Sequence, residues 1–279
     1  MKLGELLKKH NFKFSKKYGQ NFLSDGNLLE SIAVKGGVDK DTPVLEIGCG
    51  AGTLTKVLCE KSKYVYGYEI DQTLAPVLGD NLRGIENCDI TFKDIMREKT
   101  AETENRIGEE YMLVANLPYY ITTPIIMKFV EEAQNCKSIV IMVQEEVARR
   151  ICAKEGTADY GAITASINLV ANSEIILKVP RTMFMPAPNV DSAVVKIVFD
   201  RTKYPEVDRK IYRDTVRAAF LSRRKTLVNN LREWLKIDKA QAEELLAECK
   251  IDIMARGETL GTQEFVNLST AIKEKFFNN

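Results

Sequence analysis

Glycines 48, 50 and 52 follow the apolar run VLEI in VLEIGCGAGTLT (44–55) and open onto a helical pattern. Glycine lets a backbone pass close to a ligand and take turns that a side chain forbids. A dinucleotide fingerprint needs glycine at 53, where the chain has Thr53, so a nicotinamide cofactor is disfavoured. Glu69 ends the next apolar run, YVYGYEI (64–70), where a carboxylate can accept hydrogen bonds from both hydroxyls of a ribose. Asp94, in KDI (93–95), can accept from the exocyclic amine of an adenine, with Ile70 and Ile95 against its faces. The single histidine, His10, removes zinc-protease and Ser-His-Asp or Cys-His chemistry. Six cysteines without a CxxC indicate neither a zinc site nor a disulfide framework. Catalysis must proceed without imidazole, and no metal site is expected.

These residues need a sheet to align them. From residue 42, short β-branched runs alternate with amphipathic segments, the pattern of a doubly wound α/β fold. The expected strands are 43–47, 64–70, 90–92, 112–117, 138–143, 174–179 and 192–199, seven in all. Helices are expected at 53–61, at 123–134 with Thr123 as N-cap and Pro124 in the first turn, at 145–153 and at 161–172. After about Asp200 strand signals vanish and four helical patterns remain, at 207–220, 223–235, 239–250 and 262–276. A boundary is therefore expected at 200, between an α/β domain of 1–200 and a small all-α domain of 201–279.

The composition of the 279 residues, 45% hydrophobic and 28% charged, is that of a globular protein. No apolar run approaches the roughly 18 to 20 residues needed to cross a bilayer, and Met1 to His10 lacks the core of a signal peptide, so a cytoplasmic location is expected. Net charge is only +1 but unevenly spread. Lys2, Lys8, Lys9, Lys13, Lys16 and Lys17 face only Glu5 in the first 17 residues, and Arg223, Arg224 and Lys225 lie in a second basic stretch. Such clusters are either solvated helix faces or a grip on nucleic-acid phosphates.

The spacing ExGxGxG (46–52) resembles the first motif of class I S-adenosylmethionine-dependent methyltransferases. The string ANLPYYITTP (115–124) resembles the catalytic signature of enzymes that methylate exocyclic amines of nucleobases. An adenine amino nitrogen shares its lone pair with the ring and is a poor nucleophile. If the Asn116 side-chain oxygen and the backbone carbonyl of Leu117 both accept its N–H bonds, the nitrogen moves toward a tetrahedral form whose lone pair faces the methyl on sulfur. Pro118 stiffens the loop and Tyr119 offers a flat face for an extruded base. In FMPAPNVDSAVV (184–195), Phe184 either closes the opposite face of that base or plugs the space under a proline-held loop.

From KKYGQNFLSD (16–25) through EIGCGAGTLT, NLPYYITTP and FMPAPNVDSA to AAFLSRRKTLVNNL (218–231), the chain resembles the KsgA family of small-subunit ribosomal RNA adenine dimethyltransferases. The resemblance implies S-adenosyl-L-methionine as cofactor, with Asn21 and Leu23 touching it beside Gly48, Gly50, Glu69, Ile70, Asp94, Ile95 and Asn116. It implies transfer of two methyl groups to each of two adjacent adenosines near the 3′ end of 16S rRNA in the immature small subunit; separately, a monomer is expected. Ala115 stands where relatives often carry glycine, and its methyl is expected to narrow the pocket. Related 23S rRNA methyltransferases of the macrolide-resistance type, and a non-enzymatic RNA-binding assembly factor, are the alternatives. The GQNFL and RRKTLVNNL forms favour KsgA, and the intact Asn116 to Tyr119 motif favours catalysis.

Overall fold

A computed structural model describes residues 3–15 and 18–277. Lys2, Lys16 and Lys17 of the basic N-terminal cluster lie outside the described residues. Two compact units are formed, one by Met1–Ala148 with Glu174–Phe199 and the other by Arg149–Ser173 with Asp200–Asn279.

The first unit begins with α1 (Leu3–Lys9), β1 (Phe22–Leu23) and α2 (Gly26–Gly36), and continues with β2 (Val44–Ile47), α3 (Thr53–Lys61), β3 (Val65–Glu69), α4 (Ala75–Asn81) and β4 (Cys88–Phe92). Next come α5 (Thr100–Ile107), β5 (Tyr111–Asn116), α6 (Tyr119–Glu132) and β6 (Cys136–Gln144). After α7 (Glu145–Ile151) and α8 (Ala162–Asn168), the chain adds β7 (Ala171–Val179), β8 (Phe184–Met185) and β9 (Ser192–Phe199). Seven of these strands form one sheet in the order β4-β3-β2-β5-β6-β9-β7. The first five along that row are parallel, and β9 runs antiparallel to β6.

Strand order reverses at β2, whose neighbours are β3 on one side and β5 on the other. The loops leaving β2 and β5 therefore diverge, opening the crevice in which doubly wound folds bind ligands. Register sharpens this, because Ile47 lies opposite both Tyr68 and Ala115. The residues that follow, Gly48, Glu69 and Asn116, thus emerge side by side at the carboxyl edge. Behind them Val44, Val65, Met112, Val114 and Val140 pack with Leu54 and Leu58 in one buried cluster. Strands covered on both faces read as continuous apolar runs, hence their visibility in the sequence.

A second, two-stranded ribbon pairs Phe22 with Met185 and Leu23 with Phe184. It was not anticipated. Helix α6 starts four residues before the expected Thr123, with Pro118 as its N-cap and Pro124 inside. Only the first four N–H groups of a helix lack internal partners, so Pro124 forfeits one bond, to the Tyr120 carbonyl. Burial of Thr122, Ile125, Ile126, Phe129 and Val130 outweighs that loss.

The second unit contains α9 (Arg209–Ala219), α10 (Leu227–Leu235), α11 (Lys239–Glu248) and α12 (Thr262–Phe276). Residues 149–173, which the sequence analysis placed in the α/β domain, belong to this unit. The cause is tertiary: Tyr212 on α9 donates its hydroxyl proton to the Ala165 carbonyl on α8 at 2.9 Å. The Tyr160 ring lies tilted against Phe220, which in turn meets Phe265. Helix α10 begins at Leu227, so Arg223, Arg224 and Lys225 sit in the turn before it rather than on the helix.

Candidate active site

At the carboxyl edge of β2, β3 and β5 lies a pocket of about 1060 Å³ including its mouth. Asn21, Leu23, Gly48, Gly50, Glu69, Ile70, Asp94 and Ile95 line it together with Asn116, Leu117, Pro118, Tyr119 and Phe184. Residues from widely separated stretches of sequence thus meet in one cavity.

The glycine loop is shaped by close approach. Gly48 has φ +77°, and a Cβ there would sit 3.0 Å from Leu117 Cδ2. A Cβ on Gly50, at φ +57°, would meet the Phe22 ring at the same distance. Glu69 accepts from Gly50 N–H on Oε2 and from Asp71 N–H on Oε1, both at 2.8 Å. A carboxylate has about four lone-pair sites, so these partners leave room for an incoming hydroxyl. Burial raises the Glu69 carboxyl above the usual range, while backbone N–H groups of Asp71, Gly50 and Ile70 pull it back.

Asp94 spends Oδ1 on the Met96 N–H and lies 3.5 Å from the Arg97 guanidinium, which fixes its carboxylate at the pocket rim. Ile95 is buried and Ile70 exposed, giving a flat nucleobase one inner and one outer apolar wall.

Asn116 donates from Nδ2 to the Asn21 carbonyl at 3.4 Å. That leaves its Oδ1 as an acceptor toward the cavity. Among the described residues the Leu117 carbonyl receives no hydrogen bond in any turn or loop, so two acceptors stand adjacent. The Tyr119 hydroxyl and Ser192 Oγ are 2.8 Å apart, which fixes the ring, and burial raises the phenol above its ordinary range. Phe184 lines the cavity and is also packed, 7% exposed, with Leu23, Val179 and Val194. Ala115 does not narrow the pocket. It is buried in the sheet between Ile47 and Ile141, because strand alternation sends it away from the face that Asn116 serves.

Several lining residues escaped the sequence analysis. Gln20 and Phe22 stood in the GQNFL string beside Asn21 and Leu23, and exposed Tyr120 followed Tyr119. Glu46 is 1% exposed, and neither carboxylate oxygen finds a hydrogen bond. Burial pushes its carboxyl up to about 7. A cradle that side chains would fill, a carboxylate with spare lone pairs and an orphaned buried acid suit a nucleoside with a cationic tail.

The profile of the ribosomal RNA adenine dimethylase family matches residues 11–274. The chain belongs to this family. It is 43% identical to a ribosomal RNA small subunit methyltransferase A of Geobacillus thermodenitrificans, over 98% of this chain and 95% of that protein. The same identity relates it to the namesake of Clostridioides difficile, over 97% and 95%. Among solved structures, a dimethyladenosine transferase of Plasmodium falciparum superposes with a TM-score of 0.78 at 23% identity, covering 91% of this chain and 98% of that one. The 23S rRNA methyltransferase ErmE does so with 0.68 at 26% identity, over 91% and 100%. Membership makes the chain an S-adenosylmethionine-dependent enzyme that dimethylates adenine in ribosomal RNA. Among the described residues no helix is long and apolar enough to cross a membrane.

The basic triad has committed contacts. Arg223 donates from Nη2 to the carbonyls of Ala158 at 3.0 Å and Tyr160 at 2.6 Å, and Lys225 pairs with Glu233 at 2.8 Å. Arg224 is exposed. In the N-terminal cluster, Lys9 is paired with Asp80.

Proposed function

We propose that this family member dimethylates N6 of two adjacent adenosines near the 3′ end of 16S rRNA, in immature small subunits, as a cytoplasmic monomer. The observation that carries the reading is the pair of acceptors, Asn116 Oδ1 and the Leu117 carbonyl, on adjacent residues that line the pocket. Identity to small-subunit enzymes, higher than to the large-subunit methyltransferase, supports 16S over 23S rRNA.

S-adenosylmethionine supplies an electrophilic methyl on a sulfonium. Glu69 would hold its ribose hydroxyls, Asp94 its adenine amine, and Ile70 and Ile95 the faces of its adenine ring. The glycine loop and residues 21–23 enclose the remainder. Tyr119 and Phe184 clamp the extruded target base, whose unstacking costs a few kcal/mol. Asn116 Oδ1 and the Leu117 carbonyl then take the two N–H bonds of its amine, aiming the lone pair at the methyl. The alkylated nitrogen is strongly acidic and releases its proton to water, so imidazole has no task. The second transfer acts on an amine with one N–H left, and the new methyl must rotate away from one acceptor. Exposed cations of the helical unit, Arg224 foremost, grip phosphates.

The test is incubation with labelled S-adenosylmethionine and unmodified small subunits, followed by nucleoside mass spectrometry. Dimethyladenosine in 16S rRNA is expected. Label in 23S rRNA alone would favour the large-subunit reading, and no label a passive assembly factor.

A further inference from the structure

The segment before β1 crosses the pocket as a strap. At Gly19, φ +54°, a Cβ would lie 3.3 Å from Pro118 Cβ, so the strap rests directly on the catalytic loop. Its far end is secured by the ribbon with β8 and by Thr53 Oγ1, which donates to the Leu23 carbonyl at 2.9 Å. Its near end depends on a side chain. Gln20 Oε1 accepts from the Ser15 N–H at 3.0 Å, and Gln20 Nε2 donates to Asp71 Oδ2 at 2.6 Å. Asp71 is 3% exposed, and its Oδ1 is occupied by the N–H and hydroxyl of Thr73. Its own N–H is the one that holds Glu69 Oε1. One residue beyond Gln20, the Asn21 carbonyl takes the Asn116 Nδ2.

We propose that Gln20 is a positioning residue: its amide latches the strap to Asp71 over the donor pocket, and the latched strap keeps the Asn116 carboxamide turned with its oxygen toward the base. The inference rests on reading this cavity as the S-adenosylmethionine site. An amide suits the position because it has one accepting and one donating end, and the two partners are one donor and one acceptor. With the latch open, the Asn21 carbonyl leaves Asn116, whose carboxamide can then turn its NH2 toward the amine it must bind. Donor retention and base orientation are thereby joined through consecutive residues. Because Asp71 also fixes Glu69, closing the strap and ordering the ribose anchor are one event.

The test exchanges the polarity of the latch in the full chain. Gln20→Glu keeps acceptance from Ser15 but sets one carboxylate against another. Gln20→Glu with Asp71→Asn returns a donor and an acceptor in reversed sense, and the amide oxygen introduced by the second substitution still caps Thr73. Calorimetric affinity for S-adenosylmethionine, amide hydrogen exchange of residues 18–23, and kcat at saturating donor and small subunits are measured. The single variant should bind the donor at least tenfold more weakly, exchange faster across the strap and lose at least tenfold in kcat. The double variant should recover all three to within about threefold. Wild-type behaviour of the single variant, or no recovery in the double, overturns the proposal. Glu69→Ala separates the two levels: if it weakens donor binding while Gln20→Glu does not, only the latch fails, whereas if neither does, the cavity itself is misread.

Discussion

Asn116 Nδ2 donates to the backbone carbonyl of Asn21, so the residue at the end of β5 takes its orientation from a strap 95 residues earlier. On the proposed reading its oxygen would then serve the substrate. Asn116→Ala should leave S-adenosylmethionine affinity within a few fold while abolishing transfer to small subunits. Calorimetry and a filter assay with labelled donor check this, and wild-type turnover would refute the role of the amide.

On the proposed reading Glu69 would meet the donor through the lone pairs its backbone partners leave over. Glu69→Ala should raise the dissociation constant for S-adenosylmethionine at least tenfold, about 1.4 kcal/mol. Unchanged affinity in titration calorimetry would remove it from the ribose.

Tyr119 contributes a ring and a hydroxyl that can be separated. Tyr119→Phe loses only the contact with Ser192 and should retain transfer within several fold, whereas Tyr119→Ala also loses stacking worth about 1–3 kcal/mol. Equal KM values for small subunits in the two variants would count against a stacking face.

Glu46 gives stability a pH dependence of unusual sign. Burial is the largest cause of its rise from 4.5 to about 7; the nearby polar groups of Thr55 and Cys49 oppose it and Glu69 adds to it. The folded protein then binds this proton more tightly than the unfolded chain, so stability falls as pH rises between those values. The contribution is complete below 4.5 and lost above 7, on the order of 3 kcal/mol. Glu46→Gln should therefore be more stable than wild type at pH 8, with the difference shrinking toward pH 5. Denaturant titrations across that range decide it, and a difference independent of pH would show that Glu46 does not titrate there.

Arg223 and Arg224 should behave differently despite adjacency. Arg223→Ala removes two bonds to backbone carbonyls and should lower the melting temperature, whereas Arg224→Ala should leave it unchanged and reduce the salt slope of rRNA binding by about one. Equal melting temperatures, or equal salt slopes, would contradict this division.

The central parallel strands β2, β5 and β6 were legible because burial leaves largely apolar runs, and α3 matched its expected limits of 53–61. Glu69, Asp94 and Asn116 were legible with them, since strand ends mark where ligands gather. The β1 and β8 ribbon was not, because two-residue strands carry no periodicity. Thr123 and Pro124 imitated a helix start that the packing of α6 places earlier. Gln20 carries no local signal of its role, since its bond to Asp71 spans 51 residues and depends on the path of the strap. Residues 149–173 were misplaced because only a contact such as Tyr212 to Ala165 reveals which core they join.

The ladder joining Phe22 and Leu23 to Met185 and Phe184 makes two sides of the pocket, on the proposed reading the cover over the methyl donor and the wall beside the nucleobase, a single mechanical piece. An inhibitor shaped as a wedge for that seam would disable recognition of both substrates together, without having to bridge the distance between them. Resistance through a change at either strand would then carry its own penalty, because the same two rungs hold residues 22–23 and Phe184 in place together.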